Sequence, residues 1–197
     1  MTMTDVLPTA RNIEEAHTRL REGVISTPVL ESDVLNSRAG SRVLIKAESL
    51  QHTGTFKIRG ALNRLLQLSH EERSAGVVAF SSGNHAQGVA MASKWLGVEA
   101  TIVMPKDAPK IKQFNTRVLG AKIILYDRYL EDREYIAAKI AQKTGAALVP
   151  AFDHPDIIAG QGTVGLELLQ NVSDLDTIIV PIEGGGIISG IATAAKS

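Results

Sequence analysis

The chain has 197 residues, 44% of them hydrophobic, enough for a sizeable core arranged as one large domain or two small ones. Lys plus Arg and Asp plus Glu each number 21, so the formal net charge is zero and there is no electrostatic footprint for nucleic acid or an anionic membrane. The absence of cysteine excludes disulfides, thiolate metal sites and cysteine nucleophiles.

The polar start, MTMTDVLPTARN, lacks the apolar core of a signal peptide, and no later apolar run approaches membrane-spanning length. A soluble, cytoplasmic protein is expected. Asn12 and Glu15 have the spacing of a capping box, with an amphipathic helix following through Leu20. VLIKAE (43–48) reads as a strand, and the spacing of Phe56, Ala61, Leu62, Leu65 and Leu66 predicts a helix over about 55–68. HEER (70–73) reads as a solvated turn. The chain then alternates: strands VVAF (77–80), ATIVM (100–104), KIIL (122–125), AALV (147–150) and DTIIV (176–180), each followed by a helix. Gly97, Gly120 and Gly145 end three of those helices. Short β-rich runs alternating with capped helices predict βαβ units around a mostly parallel, doubly wound sheet.

Two glycine loops open helices, SSGNHAQG (81–88) after VVAF and EGGGIISG (183–190) after DTIIV. A helix N-terminus carries unpaired N–H groups and partial positive charge, so each loop is a candidate anion cradle. Neither is a P-loop, and the second departs from the dinucleotide fingerprint at Ser189. Lys57 lies between Phe56 and Ile58 in QHTGTFKIRG. A lysine snorkelling from a helix edge is the default reading. Desolvation by the two apolar neighbours would instead lower its pKa and give a neutral amine able to form a Schiff base. Lysine, phosphate cradle and carboxylate cradle together point to pyridoxal phosphate and an amino-acid substrate.

Five ordered stretches, ESLQHTGTFKIRGALN, SSGNHAQG, MPKDAPKIKQFNTRVLGA, PAFDHPDIIAGQGT and VPIEGGGIISG, make the chain resemble the fold type II pyridoxal-phosphate enzymes, in their threonine/serine dehydratase and serine racemase branch. The resemblance runs from Thr27 to Gly190. It implies a two-lobed, tryptophan synthase β-like α/β fold, with residues 53–153 as a small lobe carrying the substrate-carboxylate loop. Residues 1–52 and 154–197 would form a large lobe that binds the cofactor phosphate and is incomplete at its C-terminal side. It implies that Lys57 is the Schiff-base lysine, that Phe56 lies beside the cofactor ring and that Asn84 bonds the ring oxygen. Gly184, Gly185 and Gly186 match the phosphate loop, whose usual first glycine is Glu183 here. Ser81, Ser82, Gly83, Asn84 and His85 match the loop that closes on the substrate carboxylate, and Arg133 falls near the substrate. A serine at position 82 matches the racemase-like members, in which it acts as acid or base on the face opposite Lys57.

The activity implied is a lyase releasing ammonia from serine, threonine or 3-hydroxyaspartate. The rivals are an amino-acid racemase, a β-replacement enzyme, a dinucleotide-binding module and a non-catalytic fragment. The family leads to an expected homodimer at full length. The five histidines show no zinc-ligand spacing, so no metal site is expected.

Overall fold

The computed structural model describes residues 7–196. Helix α1, Ala10–Leu20, buries Ile13, Ala16 and Leu20 on one face. Its capping box is Thr9 with Asn12, not Asn12 with Glu15: the Thr9 hydroxyl accepts from the Asn12 N–H, and the Asn12 side chain accepts from the Thr9 N–H. Glu15 instead pairs with Arg11 along the exposed face. Strands β1 (Val29–Glu31) and β2 (Leu44–Lys46) form a short antiparallel pair around α2 (Asp33–Ala39), so the predicted strand 43–48 shrinks to three residues. Its expected end, Glu48, turns into a 3-10 helix, Glu48–Leu50, whose carboxylate is drawn inward.

Helix α3 (Lys57–Leu66) is followed by α4 (His70–Ala75). The stretch HEER is thus helical rather than a turn, because Ser69 and Glu72 complete a capping box at its start. The main sheet has strands β3 (Val77–Phe80), β4 (Ala100–Pro105), β5 (Lys122–Tyr126) and β6 (Ala147–Leu148) in the order β5-β4-β3-β6. All three pairings are parallel, as the alternation of short strands and helices predicts. The helices between them are α5 (Asn84–Leu96), α6 (Lys110–Val118) and α7 (Arg133–Thr144).

Successive strand side chains point to opposite faces, and both faces are covered. Val77, Ala79, Ile102 and Met104 join Ile58, Leu62 and Leu65 of α3 and Val89 of α5 in the principal core. Val78 and Val103 pack with Tyr126 and with Ala137 of α7 on the other face. Helix α8 (Pro155–Asn171) then packs against α3, α1 and α9 (Gly186–Ala195), with Ile13, Ala16, Ala159 and Ala194 forming a separate cluster.

DTIIV is not a strand. Burial there alternates as in one, with Ile178 and Val180 half-buried and Ile179 92% exposed, but no strand among the described residues lies beside it. Periodicity is set locally, whereas a ladder needs a partner. No helix among the described residues is long and apolar enough to cross a membrane.

Candidate active site

The chain reverses sharply before Lys57. Thr53 has φ +62° and Gly54 φ +70°, so two left-handed residues stand in succession, the first of them β-branched and strained. The Gln51 carboxamide holds this turn by accepting from the Ile25 and His52 N–H groups and donating to the Ile25 carbonyl. Lys57 is the first residue of α3. Its Nζ donates to the Ala151 carbonyl at 2.9 Å and lies 5.2 Å from the centre of the Phe56 ring. Burial pushes the Lys57 ammonium below the usual lysine range, and the carboxylate of Glu183 partly opposes that shift.

Lys57 and Phe56 line one pocket with Ala151, Phe152, Gln161 and the loop 181–187. The expected cofactor residues Gly184, Gly185 and Gly186 are therefore brought together with the lysine. Packing accounts for Gly184 and Gly186, and backbone conformation for Gly185. A Cβ on Gly184 would lie 2.2 Å from the Phe152 ring, one on Gly186 would lie 2.9 Å from the Phe152 carbonyl, and Gly185 has φ +86°. The loop is bare because Phe152 stacks against it and because its turn is left-handed. The same geometry leaves the start of α9 open to the pocket.

The loop 81–85 follows β3. Its ladder continues one step, with the Ser81 N–H donating to the Val103 carbonyl, and the Ser81 hydroxyl accepts from the Gly83 N–H at 3.1 Å. Ser82 is exposed. Helix α5 reaches Lys57 through Gly88, where a Cβ would lie 3.1 Å from the Lys57 carbonyl carbon. This contact sets His85 behind the lysine. His85 is 3% exposed, with Nε2 3.0 Å from the Val149 carbonyl. A carbonyl only accepts, so Nε2 carries the proton and donates. Burial, with a smaller contribution from the charge of Lys57, lowers the His85 pKa to about 4, against the hydrogen bond to Val149. Its Nδ1 is buried with no protein partner.

Asn84 is exposed at the start of α5, and its Oδ1 accepts from Lys112 Nζ at 2.7 Å. Arg133 begins α7 with its guanidinium 5.2 Å from the centre of the Phe80 ring, at the end of β3. Neither Arg133 nor the loop 81–85 lines the Lys57 pocket itself; they stand at the adjoining end of the sheet.

Sequence reasoning missed four features. Gln161 is 1% exposed; its Oε1 accepts from the Gly60 N–H near the start of α3, and its Nε2 has no protein partner in the pocket. Phe152 packs on the glycine loop. Lys112 reaches Asn84 in the loop 81–85. Arg59, fully buried, donates to Glu48 at 2.8 Å and to Glu167 at 2.7 Å, while Lys46 donates to Glu167 at 2.6 Å. Burial opposes the charge of Arg59, but the two carboxylates outweigh it and hold the guanidinium above its ordinary value. Burial likewise opposes the charge of Glu167, and Arg59 and Lys46 hold it below the usual carboxylate range. Two cations and two carboxylates make a neutral cluster directly behind α3.

These residues fit pyridoxal phosphate. A desolvated amine suits its aldehyde, a bare helix start suits its phosphate, and the unpartnered Gln161 Nε2 supplies a further donor. Glu183 is the one carboxylate lining that pocket, and it carries the same sign of charge as a phosphate.

The family described as "Pyridoxal-phosphate dependent enzyme" matches residues 20–197. The chain is 52% identical to the L-threo-3-hydroxyaspartate ammonia-lyase of Saccharomyces cerevisiae, over 98% of this chain and 59% of that protein. It is 48% identical to the L-threonine ammonia-lyase of Thermotoga maritima, over 96% of this chain and 47% of that one. The solved structure of maize serine racemase superposes with a TM-score of 0.94 at 45% identity, covering 97% of this chain and 58% of the racemase. The chain thus spans about half to three fifths of the length of these proteins.

Proposed function

Because the chain belongs to the pyridoxal-phosphate dependent enzyme family, we propose that its Lys57 pocket holds pyridoxal phosphate for an ammonia-lyase converting serine, threonine or 3-hydroxyaspartate to a 2-oxo acid and ammonia. The observation that carries this reading is the desolvated amine of Lys57 facing the glycine loop 184–186 in one pocket.

When bound, the cofactor supplies an electron sink for the negative charge that develops at the substrate α-carbon. Phe56 would lie beside its ring, Gly184, Gly185 and Gly186 would present the start of α9 to its phosphate, and Asn84 would bond its ring oxygen. The Lys57 amine would hold the cofactor through its aldehyde carbon. The released Lys57 amine takes the α-proton as general base. The β-hydroxyl would depart as water on taking a proton from the protonated Lys57, and addition of a second water to the remaining unsaturated amine yields the 2-oxo acid and ammonia. The loop from Ser81 to His85 binds the substrate carboxylate and so aims the α-proton at Lys57.

A racemase is the second reading. One observation favours it: Ser82 is exposed, and its hydroxyl makes no hydrogen bond among the described residues, which leaves it available to return a proton to the opposite face. For the lobes, the four-stranded sheet lying wholly within 77–148 supports a small lobe of 53–153 and a large lobe of 1–52 with 154–197. The family resemblance supports a homodimer at full length, and the absence of cysteine fits a reducing, cytoplasmic compartment.

The test is ammonia release across a panel of β-hydroxy amino acids, with the chain extended to the length of its relatives. Release from one or more of them, lost in Lys57→Ala, is expected. Cofactor fixed by borohydride on Lys46 or another lysine would overturn the assignment.

A further inference from the structure

Asn84 stands at the start of α5, exposed, with a carboxamide that presents an acceptor on one side and two donors on the other. Turning that group over costs little in an open position, because its oxygen and nitrogen are nearly the same size. The chemistry is not indifferent to the turn. An ionised ring oxygen of the cofactor only accepts, so Nδ2 facing it is attractive and Oδ1 facing it is repulsive.

Lys112 removes the ambiguity. Its ammonium has three N–H groups and no lone pair, so it pairs with Oδ1 alone, at 2.7 Å. The lysine stem crosses the loop: Cδ and Cε lie 4.0 Å from where a Cβ on Gly83 would be. Its helix is fixed from beneath by Gln113, which is buried and donates to the Ala108 carbonyl at 2.9 Å, and by Thr116, whose hydroxyl donates to the Lys112 carbonyl at 2.8 Å. Lys112 makes no ion pair among the described residues, so no carboxylate competes for its ammonium.

We propose that Lys112 is a positioning residue that holds Asn84 Oδ1 and thereby turns Asn84 Nδ2 toward the cofactor's ring oxygen. This rests on reading the Lys57 pocket as a pyridoxal phosphate site and Asn84 as the ring-oxygen partner. Lys112 touches neither cofactor nor substrate in this role; it acts through Asn84.

The test uses the full-length holoenzyme as wild type, Lys112→Met, Lys112→Arg and Lys112→Gln. The readouts are the cofactor's absorption spectrum at fixed pH, its dissociation constant and the melting temperature without cofactor. The long-wavelength band reports an ionised ring oxygen, and the short-wavelength band a protonated one. In Lys112→Met, the ratio of long to short band falls and the dissociation constant rises, each roughly three- to tenfold, the loss expected for the net worth of one hydrogen bond at an exposed position. Lys112→Arg restores both, because its donors also pair only with Oδ1. Lys112→Gln, which can donate without charge, lies between. An unchanged band ratio in the Met and Gln variants overturns the proposal, and so does a change that follows melting temperature and is not rescued by arginine. Wild-type protein without a cofactor band would fail the pocket reading itself, a result recognisable before any variant is compared.

Discussion

Lys57 and His85 donate to the two ends of one short segment: Lys57 Nζ to the Ala151 carbonyl at 2.9 Å and His85 Nε2 to the Val149 carbonyl at 3.0 Å. The segment between β6 and α8 therefore holds the pocket amine and the buried imidazole in register. Burial keeps His85 neutral against the pull of the bond to Val149, since a second proton would place an imidazolium in a desolvated site beside a lysine.

That neutrality makes stability pH-dependent. The folded His85 has a pKa of about 4, below the ordinary 6.5, so the unfolded state binds its proton first as pH falls. The contribution is fully present above pH 6.5 and is lost on descending toward pH 4, amounting to roughly 3 kcal/mol at about 1.4 kcal/mol per pH unit. In His85→Gln, whose amide can still donate to Val149, denaturant midpoints should depend less on pH across that window. Subtracting the two curves cancels the carboxylates common to both proteins. Parallel curves would show that His85 protonates freely in the folded state.

Arg59 and Glu167 tie α3 to α8 with bonds of 2.7 and 3.0 Å. Truncating the guanidinium leaves Glu48 and Glu167 facing one another with only Lys46 to balance them. Arg59→Ala should cost about 3–5 kcal/mol, the usual range for breaking a buried ion pair from one side. Arg59→Lys should recover less than half of it, since a single ammonium cannot replace a fork that engages two carboxylates. Chemical denaturation of the three proteins decides this, and an Arg59→Ala loss under about 1 kcal/mol would mean that water readily replaces the cluster.

The parts of the fold legible in sequence are those fixed by neighbours. Strands β3, β4 and β5 and the helices after them follow from apolar spacing, and Gly97 and Gly145 adopt the left-handed caps that end α5 and α7. The capping box shifted by three residues because Thr9–Asn12 and Asn12–Glu15 offer similar chemistry, and only the side-chain geometry chooses. DTIIV has the pattern of a strand without its partner. At the site, Lys57 and the two glycine loops were visible because unusual residues cluster there. Arg59, Glu167, Lys112 and Phe152 were not, because each acts across a long sequence separation that no local pattern records. Arg59 and Glu167, for instance, are 108 residues apart.

Glu183 raises the Lys57 pKa and lines the same pocket as the glycine loop. Its carboxylate is exposed, so its repulsion of a bound phosphate is screened. Glu183→Gln should tighten cofactor binding by roughly two- to fivefold at low salt and by less at high salt. The same change should let the Lys57 amine titrate at lower pH. Fluorescence titration with the cofactor at two ionic strengths reads the first effect. Weaker binding in the glutamine variant would mean that the carboxylate assists the site.

Ser82 differs from its neighbour. The Ser81 hydroxyl is engaged by the Gly83 N–H, whereas the Ser82 hydroxyl is available. If Ser82 returns a proton to the face opposite Lys57, Ser82→Ala should abolish inversion of the α-carbon and turnover of D-substrates while leaving elimination from L-substrates within about twofold. Proton exchange and chiral analysis of serine separate these outcomes. A wild-type enzyme that never inverts serine would remove the role.

Arg133 is a cation on the first residue of α7, the end of a helix that repels positive charge. Asp132 supplies the compensating cap by accepting from the Glu134 and Tyr135 N–H groups, and Arg133 makes no ion pair along its own helix among the described residues. The Phe80 ring holds its guanidinium instead, 5.2 Å away, where β3 passes into Ser81 and the loop 81–85. A guanidinium presented there can bind a carboxylate with two parallel hydrogen bonds, and 3-hydroxyaspartate carries one carboxylate more than serine. Arg133→Lys keeps the charge but loses the fork and the stacking plane. It should therefore raise KM for 3-hydroxyaspartate by roughly tenfold, about 1.4 kcal/mol, and for serine by no more than about twofold, with kcat little changed for either. Phe80→Leu should move KM in the same direction for the dicarboxylate by loosening the guanidinium, even though Phe80 meets no substrate. Equal increases for both substrates would assign Arg133 to the shared α-carboxylate, and unchanged KM with a lower melting temperature would reduce it to packing on Phe80.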